Sequence, residues 1–326
     1  MAAPADVVPP ASDIARQQNI NIPRPHNVTS SPPPTMVGGA QGGPVDDQAA
    51  EAKFAQLQTD FKELNPQIQI YTQSAPKAPS LEEGGPFDTL TNEDECRVRH
   101  ALDGGNSSDE VLLVHKASNI ELKRVTLQCL KDKGLLNDEV IDLYLQLLKE
   151  RELREPNKFL KCHFFNTFFY EKLNGKNGGY HYEAVRSWTK KKLGYNIIDC
   201  DKIFVPIHKK FIHKESHWCL AVINIRDKKF QYLDSLGFED IKALEILARY
   251  LVDEIKDKNN KQIDVLSWEQ EVVKERPSQD NNTDCGMFML KYIDFYSRDM
   301  GLIFEQKHMP YFRRRTAKEI LDLRAG

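Results

Sequence analysis

The sequence lacks the features that would place a protein in a membrane, on nucleic acid or around a metal ion. No apolar run approaches the roughly 18 residues of a membrane-spanning helix and no hydrophobic signal segment is present, so we expect a soluble intracellular protein without a membrane span. The formal net charge of −3 gives no reason to expect a nucleic-acid partner. The six cysteines form neither a CxxC pair nor a Cys/His cluster at zinc spacing, which predicts reduced thiols, no metal site and no cofactor.

Proline is scarce after residue 86 and abundant before it. Thirteen of the 17 prolines lie in residues 1–86, together with runs such as Pro32-Pro33-Pro34 and Gly38-Gly39. This composition buries too little apolar surface to offset chain entropy, so residues 1–86 are predicted to be a disordered tail. Residues 87–326 are rich in apolar and aromatic side chains and are numerous enough for one domain with a single core.

Hydrophobic periodicity in this second segment predicts helices around a short sheet. Three apolar patterns are typical of strands: 203–207, 217–225 and 230–233. Five stretches are predicted to be helical: 137–148, 164–173, 184–193, 241–255 and 287–296. Short strands are also expected at 265–268 and 272–273. A short mixed sheet surrounded by helices indicates an α+β domain.

Cys285 stands where the polar segment Gln279–Asp284 meets an apolar helix pattern. A cysteine in this setting is most often a small buried hydrophobe. In the first turn of a helix capped by Thr283 or Asp284, however, the helix dipole and free N–H groups stabilise a thiolate. The polar segment predicts that this turn is not deeply buried, and Gly286 would let a substrate backbone approach closely. Cys285 is therefore a candidate nucleophile.

His217 and Asp234 are the candidate partners of that thiol, but their spacing leaves the pairing open. His217 begins a strand pattern at the rim of the sheet, with His208 and His213 as competing imidazoles. Asp234 ends the next strand. A four-residue turn over 226–229 would leave Asp234 four residues from the position opposite His217, about 13 Å along an ideal strand.

Gln279 is the fourth member of the chemical set. Its amide is either a solvated loop group or a donor to an oxyanion, with the backbone N–H of Cys285 as the second donor. Together a thiol, an imidazole, a carboxylate and an amide are the parts of a cysteine protease. The thiolate attacks a carbonyl, the imidazole serves as base and then acid, and the carboxylate orients it.

With these residues the segment from about residue 87 resembles the ubiquitin-like-protein-specific cysteine proteases, the Ulp and sentrin-specific protease family. The motifs that carry the resemblance occur in order: LNDEVIDLYL, KCHFFNTFFY, HWCLAVIN, YLDSL, DCGMFMLKYIDF and HMPYFR. Within the family the chain is most similar to plant SUMO proteases of the EARLY IN SHORT DAYS type. The resemblance implies an adenoviral-protease-like fold with a catalytic core at about 110–326.

The resemblance also implies residue roles. The family's base, orienting acid, nucleophile and oxyanion donor fall on His217, Asp234, Cys285 and Gln279. In the family two Trp side chains wall the substrate channel; Trp218 matches one, and Leu135 replaces the other. Asp138 matches a position that contacts SUMO. Two further departures are a longer loop at 209–216 and Asn282, which stands where the family has Gly. If this position requires a positive φ, Asn is the residue that replaces Gly at the least cost.

The implied reaction is hydrolysis after the C-terminal Gly-Gly of SUMO, which both matures precursors and removes SUMO from substrate lysines. The implied partners are SUMO and SUMO-conjugated proteins, with the enzyme a monomer in the nucleus or at its envelope. The basic runs Lys190–Lys192 and Arg313–Arg315 are interpreted as solvated helix faces, so localisation rests on resemblance alone. Two alternatives stay open: a protease for another ubiquitin-like modifier, and a catalytically weak SUMO-binding module.

Overall fold

A computed structural model describes five stretches of the chain: residues 85–105, 107–175, 178–189, 193–210 and 216–326. All but the last two residues of the predicted tail, 1–86, lie outside this described part. So do Lys190–Lys192 and most of the predicted longer loop, residues 211–215, including His213. No helix in the described part is long and apolar enough to cross a membrane.

Seven strands and eight α-helices are present in the described residues. The strands are β1 (Val111–His115), β2 (Ile120–Lys123), β3 (Cys162–Phe164), β4 (Lys202–Lys210), β5 (Ser216–Asn224), β6 (Lys229–Leu233) and β7 (Glu269–Val272). The helices are α1 (Asn92–Asp103), α2 (Arg124–Leu127), α3 (Asp138–Arg154), α4 (Phe169–Asn174), α5 (Tyr182–Val185), α6 (Ile241–Asn259), α7 (Cys285–Ser297) and α8 (Met309–Leu321).

The main sheet has five strands in the order β3-β4-β5-β6-β7. The central strands β4, β5 and β6 are antiparallel, while β3 and β7 add to the two edges in parallel. β1 and β2 form a separate antiparallel pair. The predicted α+β class, with a short mixed sheet surrounded by helices, is confirmed.

Both faces of the sheet are covered, which explains why β4 and β5 are apolar at almost every position. Alternate residues such as Leu220 and Val222 pack with residues of α3, α7 and α8. Their neighbours Cys219 and Ala221 pack with residues of α4 and α6 on the other face. Successive side chains of a strand therefore enter two different cores.

The long helices lie where the sequence predicts them, although α3 and α6 continue past the predicted ends to Arg154 and Asn259, whereas the short helices are misplaced. α3 begins after Asn137, whose Oδ1 accepts the Val140 N–H at 2.9 Å, as the capping pattern predicts. The predicted aromatic helix is wrong at its start: Phe164 belongs to β3, and α4 begins only at Phe169. Three residues of strand are too few for a periodic pattern to be distinguishable from a helix.

Three more predictions, two about secondary structure and one about burial, need correction. The helix predicted from 184 begins at Tyr182 and ends at Val185. The edge strand occupies Glu269–Val272, so it begins after the first predicted short strand and shares only Val272 with the second. The predicted solvated face at Arg313–Arg315 is wrong for its two outer members, because Arg313 and Arg315 are buried against carboxylates of Asp284 and Glu319. The local sequence does not reveal which acids lie opposite a basic run.

Candidate active site

The site is built where β5 begins and β6 ends. Asn224 pairs with Lys229 and Leu220 with Leu233, so the connecting turn is 225–228 rather than 226–229. In this register, Asp234 is two residues rather than four from the position opposite His217. The predicted separation of the two residues along the strand is therefore halved. The expected 13 Å gap is therefore wrong, and His217 Nε2 lies 2.9 Å from Asp234 Oδ1.

The two side chains form a buried, hydrogen-bonded pair. Burial alone would lower the pKa of His217, but hydrogen bonds to Asp234, Cys219 and Cys285 outweigh it and hold that pKa well above its ordinary value. Burial would likewise raise the pKa of Asp234, but its bonds from His217 and Cys219 and from the Leu236 N–H lower it. The pair therefore favours an imidazolium beside a carboxylate.

Asp234 is held by more than the histidine. Its Oδ1 also accepts the backbone N–H of Leu236 at 2.8 Å, and its Oδ2 accepts the thiol of Cys219 at 3.1 Å. The atoms of His217, Cys219 and Asp234 that could bind a metal ion lie within 4.8 Å of one another, close enough to share one ion. Their separations of 2.9 and 3.1 Å are, however, those of hydrogen bonds that the three groups make among themselves.

Cys285 is the first residue of α7, as the pattern predicts, and its thiol is within hydrogen-bonding reach of His217. The helix cap differs from the expectation: Asp284 is the N-cap residue, but its side chain makes no capping bond. Its Oδ1 instead accepts Arg313 Nε and Nη2 at 2.9 and 2.5 Å. The turn is also buried rather than open, since Cys285 is only 2% exposed.

Gly286 has a packing reason of its own. A Cβ at this position would lie 2.8 Å from Leu136 Cβ and 3.1 Å from Trp218 Cδ1. Only a glycine lets the first turn of α7 approach those two side chains so closely. Asn282 does not have a positive φ. The positive-φ argument for Asn in place of the family's Gly therefore does not apply here.

Gln279 is buried and hydrogen-bonded at both ends of its amide, so the solvated-loop alternative is wrong. Its Oε1 accepts the hydroxyl of Ser235 at 2.5 Å, and its Nε2 donates to the carbonyl of Asn281. Its backbone N–H donates to the carbonyl of Ser235 at 3.0 Å. The loop before Cys285 is thus tied to the turn after β6.

The predicted substrate residues lie around Trp218. Its indole N–H donates to the carbonyl of Leu136 at 2.9 Å, which joins β5 to the segment that carries Leu135. Leu135 is 52% exposed, while Asp138 is the partly buried first residue of α3. His208, a competing imidazole, stacks on the Trp218 ring at 4.2 Å, and burial lowers its pKa.

Sequence reasoning missed three residues of the site: Cys219 and Ser235, which contact Asp234 and Gln279, and Arg313, which holds the two residues before Cys285. Two signals were available. Cys219 follows His217 by two residues and so lies on the same face of the strand, and Ser235 directly follows Asp234. No local signal pointed to Arg313, which comes from α8.

The sequence is similar to those of known proteins. Residues 135–325 match the Ulp1 protease family, C-terminal catalytic domain. The chain is 57% identical over 240 residues to Ubiquitin-like-specific protease 1A of Arabidopsis thaliana, covering 73% of this chain and 46% of that protein. It is 56% identical over 241 residues to Ubiquitin-like-specific protease ESD4 of the same plant, covering 74% and 48%. Human Sentrin-specific protease 2 is 43% identical over 234 residues, covering 71% and 37%.

A solved structure has the same fold. The X-ray structure of the C-terminal Ulp1 protease domain in complex with Smt3, the yeast ortholog of SUMO, matches with a TM-score of 0.60 and 27% identity, covering 73% of this chain and 98% of that chain. The chain spans about half the length, or less, of these three curated relatives. The predicted resemblance to the Ulp and sentrin-specific proteases is confirmed, and the chain belongs to the Ulp1 protease family.

Proposed function

We propose that this protein is a SUMO-specific cysteine protease that hydrolyses the bond after the C-terminal Gly-Gly of SUMO. It would mature SUMO precursors and release SUMO from substrate lysines. The observation that carries the proposal is the buried His217–Asp234 pair at 2.9 Å, with the Cys285 thiol in hydrogen-bonding reach at the start of α7. Family membership and the solved Ulp1–Smt3 complex support SUMO as the modifier.

The geometry supports a two-step acyl transfer. His217 already holds the thiol proton as an imidazolium that Asp234 stabilises, and the Cys285 thiolate attacks the carbonyl carbon of the terminal glycine. Gln279 Nε2 and the Cys285 backbone N–H donate to the oxyanion. His217 then gives its proton to the leaving amine, and the C–N bond breaks to leave a thioester. Water, deprotonated by His217, attacks that thioester and releases the glycine carboxylate and the thiol.

Selectivity for glycine would come from steric exclusion above Cys285. Trp218 lies close to Gly286 at the start of α7, and its indole N–H is bonded to the carbonyl of Leu136. We propose that Trp218 and Leu135 flank the path of the Gly-Gly tail and that Asp138 contacts SUMO. Since Leu135 offers no flat aromatic face to the substrate backbone, it would clamp the tail more weakly than Trp.

The remaining parts of the proposal concern partners and place. The partners are SUMO and SUMO-conjugated proteins, with no nucleic acid required. The enzyme is a monomer that acts in the nucleus or at its envelope. The resemblance to family members supports the partners, the monomer and the place. The near-zero balance of 45 basic against 48 acidic residues supports only the absence of a nucleic-acid partner.

The test is intact-mass measurement after mixing the protein with SUMO, and separately with ubiquitin, each carrying a C-terminal electrophile. Wild type, Cys285→Ala and Cys96→Ala are compared, because Cys96 is an exposed thiol outside the proposed site. We expect one SUMO adduct on wild type and Cys96→Ala, none on Cys285→Ala and none with ubiquitin.

Each other outcome points elsewhere. An adduct with ubiquitin alone would indicate a protease for another modifier. A stable SUMO complex without an adduct or hydrolysis would indicate a binding module. An adduct that persists in Cys285→Ala would remove Cys285 as the nucleophile.

A further inference from the structure

Ser235 is a buried polar residue beside the proposed catalytic set. It directly follows Asp234, is 1% exposed, and donates its hydroxyl to Gln279 Oε1 at 2.5 Å. The turn that carries it is held from outside: Arg276 Nε and the Gly237 N–H both donate to the carbonyl of Asp234. Two neighbouring residues on one turn therefore contact the histidine and the glutamine separately.

The partners of the Gln279 amide determine which way it points. The carbonyl of Asn281 can only accept a hydrogen bond, so the amide nitrogen must face it. The amide oxygen then faces Ser235, whose hydroxyl can donate or accept and here has to donate. One N–H of Nε2 bonds to the Asn281 carbonyl, and the second N–H bonds to neither of these two partners. Its direction is fixed, because both ends of the planar amide are held.

We propose that Ser235 is a positioning residue that holds the Gln279 amide so that its second N–H is aimed at the oxyanion. The inference rests on the proposed function and adds the element that orients its oxyanion donor. A donor stabilises the transition state fully only when its direction is set before the reaction. Without the Ser235 hydroxyl, the Gln279 amide loses the partner of its oxygen and is held only by its bond to the Asn281 carbonyl, which leaves the direction of its second N–H less well fixed.

The test is a double-mutant cycle between Ser235→Ala and Gln279→Ala on a SUMO substrate with a C-terminal amide. Removing a whole oxyanion donor typically lowers kcat about 10²–10³-fold. We expect Ser235→Ala to lower kcat about 10-fold or more, but less than Gln279→Ala does, with KM unchanged. In the Gln279→Ala background, the Ser235 substitution should change kcat less than twofold, since nothing remains to position.

Two controls separate positioning from general damage. Alkylation of Cys285 by iodoacetamide forms no oxyanion, so its rate in Ser235→Ala should match wild type. Ser297→Ala removes another buried serine hydroxyl, 3% exposed and bonded to Arg151, at the far end of α7, and should leave kcat unchanged.

An equal loss of kcat in both backgrounds, or no loss in either, would overturn the inference. A slower alkylation would also overturn it, because the effect would then pass through the thiol or the histidine. If Ser235→Ala does not fold, Ser235→Cys, which is of similar size and a weak donor, takes its place in the same cycle. If wild type hydrolyses no SUMO substrate, the proposed function fails instead, and the two failures are distinguishable.

Discussion

Arg313 holds the segment that leads into Cys285, and replacing it tests that role. Its guanidinium donates twice to Asp284 Oδ1 and once to the carbonyl of Thr283, the two residues before Cys285. It also donates to the carbonyls of Cys129 and Lys131, at 3.1 and 2.9 Å. The perturbation is Arg313→Met, which removes all five bonds and keeps an unbranched apolar stem.

The magnitude follows from burial. Breaking a buried ion pair on one side costs about 3–5 kcal/mol, because the other charge stays buried without its partner. Asp284 keeps bonds from Asn281 Nδ2 at 2.8 Å and Gln306 Nε2 at 2.7 Å, which lowers the cost. The three carbonyls that lose a donor add to it, at about 1 kcal/mol each. We therefore expect Arg313→Met to lower the free energy of unfolding by about 3–5 kcal/mol.

The assay is urea unfolding of wild type, Arg313→Met, Asp284→Asn and the double variant. Because Asp284→Asn removes the charge that the arginine was balancing, the double variant should be more stable than the sum of the single losses predicts. Arg314→Ala is the matched control on the next residue of α8, where a half-exposed pair with Glu95 is worth about 0–1 kcal/mol.

The pH dependence supplies a second signature with a definite sign. In wild type, burial raises the pKa of Asp284, but bonds from Asn281, Arg313 and Gln306 lower it overall, so its contribution to stability is lost as pH falls through that pKa. Without Arg313 that pKa rises, and protonation relieves the buried charge. The loss in Arg313→Met should therefore be smaller at pH 5 than at pH 8. A loss below 1 kcal/mol, or one that grows on acidification, would refute this reasoning.

Three further predictions concern the site. Gly286→Ala should lower the free energy of unfolding by about 1–3 kcal/mol and reduce turnover, because its Cβ would lie 2.8 Å from Leu136; urea unfolding that matches wild type would contradict this. Leu135→Trp should raise kcat/KM for SUMO substrates by adding an aromatic face, and an unchanged value would show that face to be dispensable. Asp234→Asn should lower kcat on the order of 10²–10⁴-fold. It should also move the alkaline limit of activity to lower pH, because burial without the carboxylate lowers the pKa of His217. A pH–rate profile whose alkaline limit does not move would argue against the His217–Asp234 pair.

Local patterns were enough to predict the long elements and the chemical set. The alternation of β5 and β6 and the capped periodicity of α3 depend on neighbours within a few residues, so they are visible along the chain. Family motifs then identified candidate roles for His217 and Cys285. The junction between the polar segment Gln279–Asp284 and the apolar helix pattern also placed Cys285 correctly in the first turn of α7.

What brought those residues together depends on contacts between distant segments, which no local pattern encodes. The two-residue shift of the β5–β6 pairing brings Asp234 closer to His217, because strand register is set by turn geometry and by packing on both faces. Long-range contacts alone show Arg313 buried against Asp284 rather than solvated, since its partner lies 29 residues away. The sequence by itself determined which elements form and which chemistry is available, and the tertiary structure decided which side chains touch, because hydrogen bonds and ion pairs at the site join segments that only packing brings together.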